Sequence, residues 1–374
     1  MVRRLTVLQM LPELNGGGVE RGTLEVAAAL VQAGHRSLVM SAGGRMVESL
    51  VAQGSEHVAW PVQRKSLWTL RLVRPLRRFL REQQVDVVHA RSRVPAWVAW
   101  LAWRGMPPGR RPRFVTTVHG LYSVNAYSRI MTRGERVIAV SQTACDYIRD
   151  NYPDVESGSV QVIPRGIDAE AFPPGYQPSA SWLDAWSGEY PQLRGCRVLT
   201  LPGRITRLKG HHDFIELVGR LREHGQAVHG LVVGGEDARR RAYAEELYRE
   251  VEQRGLEDSL TFTGQRQDMR EIYAVSDIVY SLSTKPESFG RTVLEALSLG
   301  RPVIGYDHGG VGEILAQCYP NGRVPMRGAD ELVARTLAML QRPETVPDCA
   351  SRFALQSMLD DTLALYAALA EGEQ

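Results

Sequence analysis

Residues 285–313 contain the side chains of this sequence that are best suited to chemistry. Glu287 and Glu295 are separated by seven residues, and a glycine-containing turn between them leads into a predicted helix over residues 292–298, with Gly300 just past its end. The start of a helix presents unpaired N–H groups and partial positive charge, which suit a phosphate. Glu295 could accept hydrogen bonds from ribose hydroxyls, and Glu287 from those of a sugar. The segment predicts either a nucleotide-sugar site or a surface helix with two solvated glutamates.

Two cations follow a predicted buried strand over residues 197–201. Arg204 lies in the turn after this strand, and Lys209 lies just before a predicted helix over residues 211–224. A planar guanidinium and a compact ammonium at a strand end suit a diphosphate. The alternative is solvated surface charge, but the position at a strand end favours a ligand site.

A turn of three glycines, residues 16–18, joins a predicted strand over residues 5–11 to a predicted helix over residues 19–33. Glycines allow the backbone to approach a ligand closely. The turn is not the G-x-G-x-x-G fingerprint, and no acid ends the next strand as expected, which argues against an NAD enzyme. His119 follows another predicted strand, residues 114–118, at a position where α/β sheets bind ligands, although a single histidine is often structural.

Strands alternate with helices along both halves of the chain, which predicts an α/β fold with two doubly wound parallel sheets. A length of 374 residues is too long for one compact core and sufficient for two domains. The proline-rich residues 169–195 are expected to form a loop-like domain boundary. A strongly charged helix is predicted over residues 238–255, and a final Ala- and Leu-rich helix over residues 352–370.

The composition excludes a disordered chain and a membrane-spanning one, because 44% of the residues are hydrophobic and no apolar run approaches the length of a membrane span. The basic N-terminus and its short apolar run predict a strand rather than a signal peptide. The four cysteines are scattered, so neither a disulfide nor a zinc site is implied, and a reduced cytoplasmic setting fits.

Positive charge is concentrated in the first half of the chain. Residues 1–175 carry 23 Lys and Arg against 14 Asp and Glu, whereas the remainder carries 22 against 28, so the basic half is expected to meet an anionic partner. Seven of these cations lie in residues 64–81, interleaved with apolar side chains and without an acid. This stretch predicts either a helix on an anionic membrane surface or the solvated face of a core helix. Nucleic acid is not expected, because aromatic residues are few and no binding motif accompanies the charge.

Along nearly its whole length the sequence resembles the retaining glycosyltransferases of family 4, which have the two-domain GT-B fold. The segments that carry the resemblance, in matching order, are GGGVE, VTTVHG, AVSQ, VIPRGID, LPGRITRLKG, VVGGE, FTG and SDIVYSLSTKPESFGRTVLEAL. Jointly they are highly specific. The family implies two Rossmann-like domains that face each other across a cleft. Residues 1–175 would bind the acceptor, residues 176–354 would bind the donor, and a C-terminal helix over residues 355–374 would cross back onto the first domain.

The resemblance also implies roles for individual residues. The expected catalytic set, which stabilises the departing diphosphate and faces the transferred sugar, is His119, Arg204, Lys209 and Glu287. The expected donor contacts are Gly17, Gly264, Arg266, Phe289, Gly290, Arg291, Thr292 and Glu295. From the basic stretch, the cations expected on the acceptor or membrane side are Arg71, Arg74, Arg77 and Arg78. Two positions depart from the family pattern: Arg165 replaces the Asn of the usual Pro-Asn-Gly turn, and VVGGE replaces the usual Gly-Asp/Glu-Gly order.

The sequence contains no Asp-x-Asp pair to hold a divalent metal against phosphates. We therefore expect no metal and no other cofactor, with Arg204, Lys209 and helix N–H groups taking the electrostatic role of a metal. The family implies transfer with retention, in which the leaving phosphate accepts the proton of the acceptor hydroxyl. The expected donor is a nucleotide sugar that carries a hexose or N-acetylhexosamine, with UDP as the expected nucleotide.

The expected acceptor is a glycan or glycolipid that engages the basic half, such as a phosphorylated glycolipid of the lipopolysaccharide core or another surface polysaccharide. The segment HARSRVPAW resembles transferases of that kind. The expected location is cytoplasmic, with peripheral association with the cytoplasmic face of the inner membrane. Two other functions remain open. A sugar-nucleotide epimerase or hydrolase of the same fold would turn over donor without acceptor. A non-catalytic membrane-associated scaffold would have a degenerate site, which the intact cations and glutamates argue against.

Overall fold

The structure is a computed structural model that describes residues 3–236 and 241–372. The described residues form two compact units, one up to Gly166 together with the chain from Leu355 onward, and the other Ile167–Ala354. The sequence placed the first boundary at residues 175–176. The segment before that point belongs to the second unit, because the Phe172 carbonyl accepts a hydrogen bond from Ser298 there.

The first unit is built on a parallel sheet of β1 (Thr6–Met10), β2 (Arg36–Ser41), β3 (Glu56–Ala59), β4 (Val87–Ala90), β5 (Arg113–Val118), β6 (Arg136–Ala139) and β7 (Val160–Val162). In the described residues these strands run in the order β3-β2-β1-β4-β5-β6-β7. The order reverses between β1 and β4, which pair in parallel with Gln9 beside His89. In open α/β sheets ligands bind beyond the strand ends at such a reversal.

Five helices precede the boundary: α1 (Gly18–Gln32), α2 (Val47–Ala52), α3 (Val73–Glu82), α4 (Arg93–Arg104) and α5 (Gln142–Asn151), as far as the described residues show. The glycine turn, the first strand and the first helix are therefore confirmed. The basic stretch forms a 3-10 helix, Leu67–Leu72, followed by α3, in which Pro75 lies in the first turn. Proline is tolerated there because the first N–H groups of a helix have no intrahelical acceptor.

The second unit repeats the plan with β8 (Arg197–Pro202), β9 (Val228–Val233), β10 (Leu260–Gly264), β11 (Ile278–Ser281), β12 (Val303–Tyr306) and β13 (Arg323–Val324). The described strands run in parallel in the order β10-β9-β8-β11-β12-β13, and the order reverses between β8 and β11. Every residue of β9 and of β11 is buried. Such continuous apolar runs are what a parallel sheet covered on both faces requires.

The helices of the second unit are α6 (Ala180–Glu189), α7 (His211–Glu223), α8 (Arg241–Gln253), α9 (Met269–Val275), α10 (Arg291–Ser298), α11 (Gly309–Cys318) and α12 (Ala329–Gln341). The predicted helix over residues 292–298 is thus confirmed. The helix predicted over residues 238–255 is found as α8, and its first three predicted residues lie outside the described ranges.

The expectation that residues 169–195 form only a loop is wrong, because α6 lies within them. The Ser179 hydroxyl accepts a hydrogen bond from the Trp182 N–H and caps the helix start. Trp186 is buried against Val198 and Ile272 of the second unit. The burial of this aromatic face stabilises a helix that the surrounding prolines conceal in the sequence.

The last helix, α13 (Leu355–Glu371), packs on the first unit. Leu365 and Tyr366 of α13 belong to the same buried cluster as Leu30 of α1 and Val87 of β4. The C-terminal helix therefore completes the core of the first unit, as the sequence predicted for the part of residues 355–374 that the structure describes.

Candidate functional site

In the second unit, the loop after β8 carries Arg204 and Lys209 and ends at Gly210, the residue before α7. Gly210 has φ +73, and a Cβ there would lie 2.0 Å from the backbone oxygen of Leu282. Only glycine fits such a left-handed position against the neighbouring backbone. The close approach places the β8 loop against the loop that follows β11, at the point where the strand order reverses.

The loop after β11 carries Glu287 and is held by the start of α11. The Gly310 N–H donates to the Glu287 carbonyl at 2.7 Å, and His308 Nε2 hydrogen-bonds to the Ser283 carbonyl at 2.7 Å. A Cβ at Gly310 would lie 2.4 Å from Cα of Phe289. The double-glycine start of α11 therefore supports the backbone on both sides of Glu287.

Lys209 and Glu287 meet across these two loops. Lys209 Nζ donates to Glu287 Oε1 at 2.8 Å, and the Ser283 hydroxyl donates to the same oxygen. The two side chains are 27% and 28% exposed, so the pair is open to a ligand. A fixed ammonium and a carboxylate side by side can bind a phosphate and a sugar hydroxyl at adjacent positions.

Arg204 is exposed and makes no hydrogen bond or ion pair with any residue that the structure describes. The loop around it is anchored elsewhere, because Arg207 pairs with Glu246 of α8 and stacks over Tyr243 at 4.7 Å from the ring centroid. The sequence-predicted cation is thus presented on a supported loop, with its guanidinium available to an anion.

The start of α10 has no side-chain cap, since Gly290 precedes the first helical residue. Phe289 is 5% exposed and packs edge-on against Phe353 at 5.9 Å between ring centroids. This packing fixes the entry of the chain into the helix, where Arg291 and Thr292 are half-buried. Backbone N–H groups at an uncapped helix start are suited to a phosphate.

The view of Glu295 as a solvated surface residue is wrong, because it is only 5% exposed. Its carboxylate accepts a hydrogen bond from Arg291 Nε at 3.1 Å, and the Tyr273 hydroxyl lies 3.5 Å from its other oxygen. A carboxylate held in this way has a fixed orientation, which suits recognition of hydroxyl groups rather than proton transfer.

Arg266, one of the expected donor contacts, is engaged inside the second unit. Its guanidinium donates to Asp268 at 2.7 Å and to Glu189 at 2.9 Å, and these carboxylates raise the pKa of Arg266. It also lies over the ring of Trp186, 5.4 Å from the centroid. Gly264, at the end of β10, has φ +71. The sequence did not reveal the partners of Arg266, because Glu189 and Trp186 lie on the unpredicted α6.

In the first unit, His119 follows β5 and is tied to Arg165. Arg165 Nη2 donates to His119 Nδ1 at 2.8 Å, and Arg165 Nη1 donates to the Gly18 carbonyl at the start of α1. Burial, followed by the positive charges of Arg165 and Arg91, holds the pKa of His119 well below its ordinary value. His119 is therefore neutral, and its Nε2 carries the proton, because Nδ1 accepts from Arg165.

A buried polar layer lies beneath His119. His89 of β4 hydrogen-bonds to the Tyr366 hydroxyl and to Thr117, each at 2.6 Å, and the buried Arg91 donates to Gln9 at 2.7 Å. Sequence reasoning missed this layer. The available signal was the presence of polar residues within otherwise apolar strands.

Gly17 directly precedes α1, and a Cβ there would lie 2.6 Å from Glu20 Oε2. The glycine turn leads into α1 beside the Gly18 carbonyl that Arg165 binds.

Of the four cations expected on the acceptor or membrane side, Arg77 is half-buried and bound to a neighbouring helix. It donates to the carbonyls of Leu101 and Ala102, both at 3.1 Å, and so caps the end of α4. Arg71 stacks on Trp68 at 3.5 Å from the ring centroid, and Arg78 pairs with Glu82 on the surface. Arg74 is exposed.

Residues 3–236 and 241–372 provide neither a cluster of metal-ligating side chains nor a membrane-spanning helix. His, Cys, Asp and Glu side chains there do not gather in groups of three that could hold a metal ion. None of the helices in those ranges is both long enough and apolar enough to cross a bilayer.

Two family models match the chain. The model of Glycosyltransferase Family 4 matches residues 16–171, and the model of Glycosyl transferases group 1 matches residues 192–352. Together the two matches span most of the sequence, and each falls largely within one of the two units.

Relatives and solved structures agree with these matches. A D-inositol 3-phosphate glycosyltransferase of Corynebacterium urealyticum is 26% identical over 319 residues, which are 76% of this chain and 72% of the relative. The crystal structure of a glycosyltransferase from Rickettsia africae ESF-5 has a TM-score of 0.85 at 28% identity, over 99% of this chain and 100% of that chain. Anabaena HepE in complex with UDP and glucose has a TM-score of 0.83 at 21% identity, over 98% and 100% of the two chains, and this likeness concerns the fold alone. This chain belongs to glycosyltransferase family 4 and is a hexosyltransferase with the GT-B fold.

Proposed function

We propose that the enzyme transfers a hexose or N-acetylhexosamine from a UDP-sugar to a phosphorylated glycolipid acceptor, with retention of configuration and without a metal. The observation that carries the proposal is the Lys209–Glu287 pair, held at 2.8 Å where the strand order of the second unit reverses. This pair lies on the two loops that a ligand at such a reversal contacts.

The donor is proposed to bind with its diphosphate on Lys209, Arg204 and the N–H groups at the start of α10. Arg204 has no partner among the described residues, so its charge is available. Glu287 would accept hydrogen bonds from the sugar hydroxyls and Glu295 from those of the ribose. Glu295 is oriented for this by Arg291 and Tyr273. Gly264 and Arg266 are proposed to border the base.

Catalysis is proposed to rest on stabilisation of the leaving diphosphate. As the bond between the sugar and the phosphate breaks, negative charge grows on the phosphate beside Lys209 and Arg204, which lowers the barrier. Glu287 is bound to Lys209 and Ser283 at one oxygen, which suits it to positioning rather than to nucleophilic attack. The leaving phosphate would accept the proton of the acceptor hydroxyl. The neutral His119 would donate a hydrogen bond through Nε2 to the transferred sugar.

The choice of nucleotide and acceptor rests on similarity. The structure of Anabaena HepE is a complex with UDP and glucose, and the Corynebacterium relative is named for a phosphorylated acceptor, inositol 3-phosphate. A phosphorylated acceptor also suits the excess of basic residues in the first half of the sequence. We propose a role in the lipopolysaccharide core or in another surface polysaccharide, with the protein in the cytoplasm and attached peripherally to the inner membrane.

A thermal-shift screen tests the donor assignment. UDP and UDP-sugars should raise the melting temperature, with or without EDTA, since a ligand that binds only the folded state stabilises it. ADP and GDP should have less effect, and the Lys209→Met variant should lose the shift. A shift with ADP or GDP but not UDP would contradict the choice of base, and dependence on a divalent metal would contradict metal independence. The anomeric configuration of the product, read by proton NMR, tests retention.

A further inference from the structure

A groove in the first unit is separate from the residues discussed as a donor site. It lies between the 3-10 helix Leu67–Leu72 and α4, with a volume of about 570 Å³. Pockets that bind small molecules typically measure roughly 300–1,000 Å³. The lining includes Leu70, Val94, Trp97 and Val98, together with Arg64 and Lys65.

The walls of the groove are held by hydrogen bonds on both sides. The Thr69 hydroxyl donates to the Arg64 carbonyl at 2.7 Å, and the Ser66 hydroxyl accepts from the Trp68 N–H at 3.3 Å. Across the groove, Trp97 Nε1 donates to the Tyr127 carbonyl at 3.0 Å. The apolar surface is therefore preformed, which reduces the entropic cost of binding.

The mouth of the groove is cationic. The Arg64 and Lys65 side chains are exposed and form no ion pair with any residue that the structure describes. No Asp or Glu occurs in the sequence between Glu56 and Glu82. Next to these cations, Trp68 is 64% exposed and Leu70 is 45% exposed. Exposed apolar side chains beside unpaired cations complement a molecule with an apolar chain and an anionic head.

We infer that this groove binds the apolar chain of an anionic amphiphile, with the phosphate of its headgroup on Arg64 and Lys65, and that this amphiphile is the lipid part of the acceptor. The inference rests on the proposed function, because it specifies the acceptor of the same transfer. A free phosphate would make no use of Leu70, Val94 and Trp97. A flat membrane surface would contact Trp68 and Leu70 but would not fill a groove of about 570 Å³.

The test is calorimetric titration of the full chain with decyl phosphate, kept below its micellar concentration. We expect saturable binding with one molecule per chain. Leu70→Glu places a charge in the apolar lining, and Arg64→Glu with Lys65→Glu reverses the charge of the mouth; each should weaken binding about tenfold or more. Two matched controls should stay within about twofold of the wild type: Arg81→Glu, in the same basic stretch but outside the groove, and Val51→Glu, an exposed apolar residue elsewhere in the first unit.

Several results would overturn the inference. The first is that decyl phosphate does not bind, and the second is that Arg81→Glu weakens its binding as much as the groove variants do. The third is that inorganic phosphate alone displaces decyl phosphate. The fourth is that the chain binds anionic vesicles but not monomeric decyl phosphate, and that Leu70→Glu leaves vesicle binding unchanged. Stabilisation by UDP serves as the separate check on the proposed function. If the chain binds UDP but not decyl phosphate, only the inference about the groove is contradicted. If it binds decyl phosphate but no nucleotide sugar, the donor assignment is contradicted and the amphiphile site is retained.

Discussion

Lys209 and Glu287 show how two residues become a site only through the fold. They are 78 positions apart in the sequence, yet their charged atoms lie 2.8 Å apart. The pair is partly exposed, so its contribution to stability is small, as for most accessible ion pairs. In the proposed reaction, the pair holds an ammonium in one position for the donor diphosphate.

Replacement of Lys209 by Met or of Glu287 by Gln should lower kcat by about 100-fold or more, because each removes a group that is proposed to act on the transition state. Combined, the two changes should cost less than the product of the single effects, since the residues act together. Steady-state transfer assays with the preferred UDP-sugar measure both effects.

The matched control is Lys285→Met. Lys285 is an exposed cation in the same loop as Glu287 and should leave kcat unchanged. If Lys285→Met lowers kcat as much as Lys209→Met, the loss reflects the overall positive charge of the region, and the specific role of the Lys209–Glu287 pair is contradicted.

Arg165 and His119 form the corresponding pair of the first unit. The arginine that departs from the family pattern donates to His119 Nδ1 and to the Gly18 carbonyl, so it connects three strand-end segments. It also explains why His119 is unsuited to act as a cationic acid: burial and the nearby guanidinium both keep the pKa of His119 low.

At the scale of elements, the start of α11 controls the loop that carries Glu287. Gly310→Ala would place a Cβ 2.4 Å from the Phe289 backbone, so the loop before α10 must move. We expect this variant to bind UDP weakly and to lose the rise in melting temperature with UDP, while the stability of the first unit changes little. Calorimetric titration with UDP measures the change.

Gly188→Ala is the control for this change. Gly188 lies in α6, and a Cβ there would meet no heavy atom within 4 Å. Alanine in a helix interior should be neutral or stabilise the protein by about 0.5–1 kcal/mol. Full UDP affinity in Gly310→Ala would show that the contact with Phe289 does not position the site.

The helix α4 depends on Arg77, whose guanidinium binds its last carbonyls. Arg77→Met should destabilise the first unit by about 1–2 kcal/mol, because two charge-assisted hydrogen bonds at a helix C-terminus are lost. Arg81 is an exposed cation of α3, the helix that also contains Arg77. Arg81→Met should lower the free energy of unfolding by less than about 0.5 kcal/mol. Urea denaturation measures both, and equal effects would contradict the capping role.

At the scale of the whole molecule, the regular part of the fold was predictable because buried parallel strands read as continuous apolar runs. The strands β1, β5 and β8, each buried at every residue but the first, are of this kind. The helix α6 was missed because its stability comes from burial of Trp186, which depends on residues distant in sequence. The sequence also predicted which residues follow the strand ends, but not the partners of Arg77, Arg165 and Arg266, since those partners are set by packing.

Buried histidines make the stability of the folded chain depend on pH. His211, at the start of α7, is fully buried, and burial lowers its pKa to about 4 from an ordinary 6.5. A hydrogen bond to the Thr206 backbone acts in the opposite direction and raises the pKa of His211, but burial outweighs it. The nearby His212 and Lys209 lower the pKa of His211 further. The Tyr243 hydroxyl lies 3.5 Å from His211 Nδ1. Burial lowers the pKa of His89 in the same direction.

The unfolded chain binds protons at these histidines at a higher pH than the folded chain does. Stability is therefore complete above about pH 6.5 and decreases as the pH falls toward 4. For His211 the full loss is about 3 kcal/mol, from a difference of roughly two and a half pKa units. Urea denaturation of the wild type between pH 7 and pH 5 should show that the free energy of unfolding decreases with falling pH, and His211→Gln should reduce this slope. The exposed His224 supplies the control: His224→Gln should keep the slope of the wild type, and equal slopes in all three proteins would show that the buried imidazole of His211 does not govern the pH dependence.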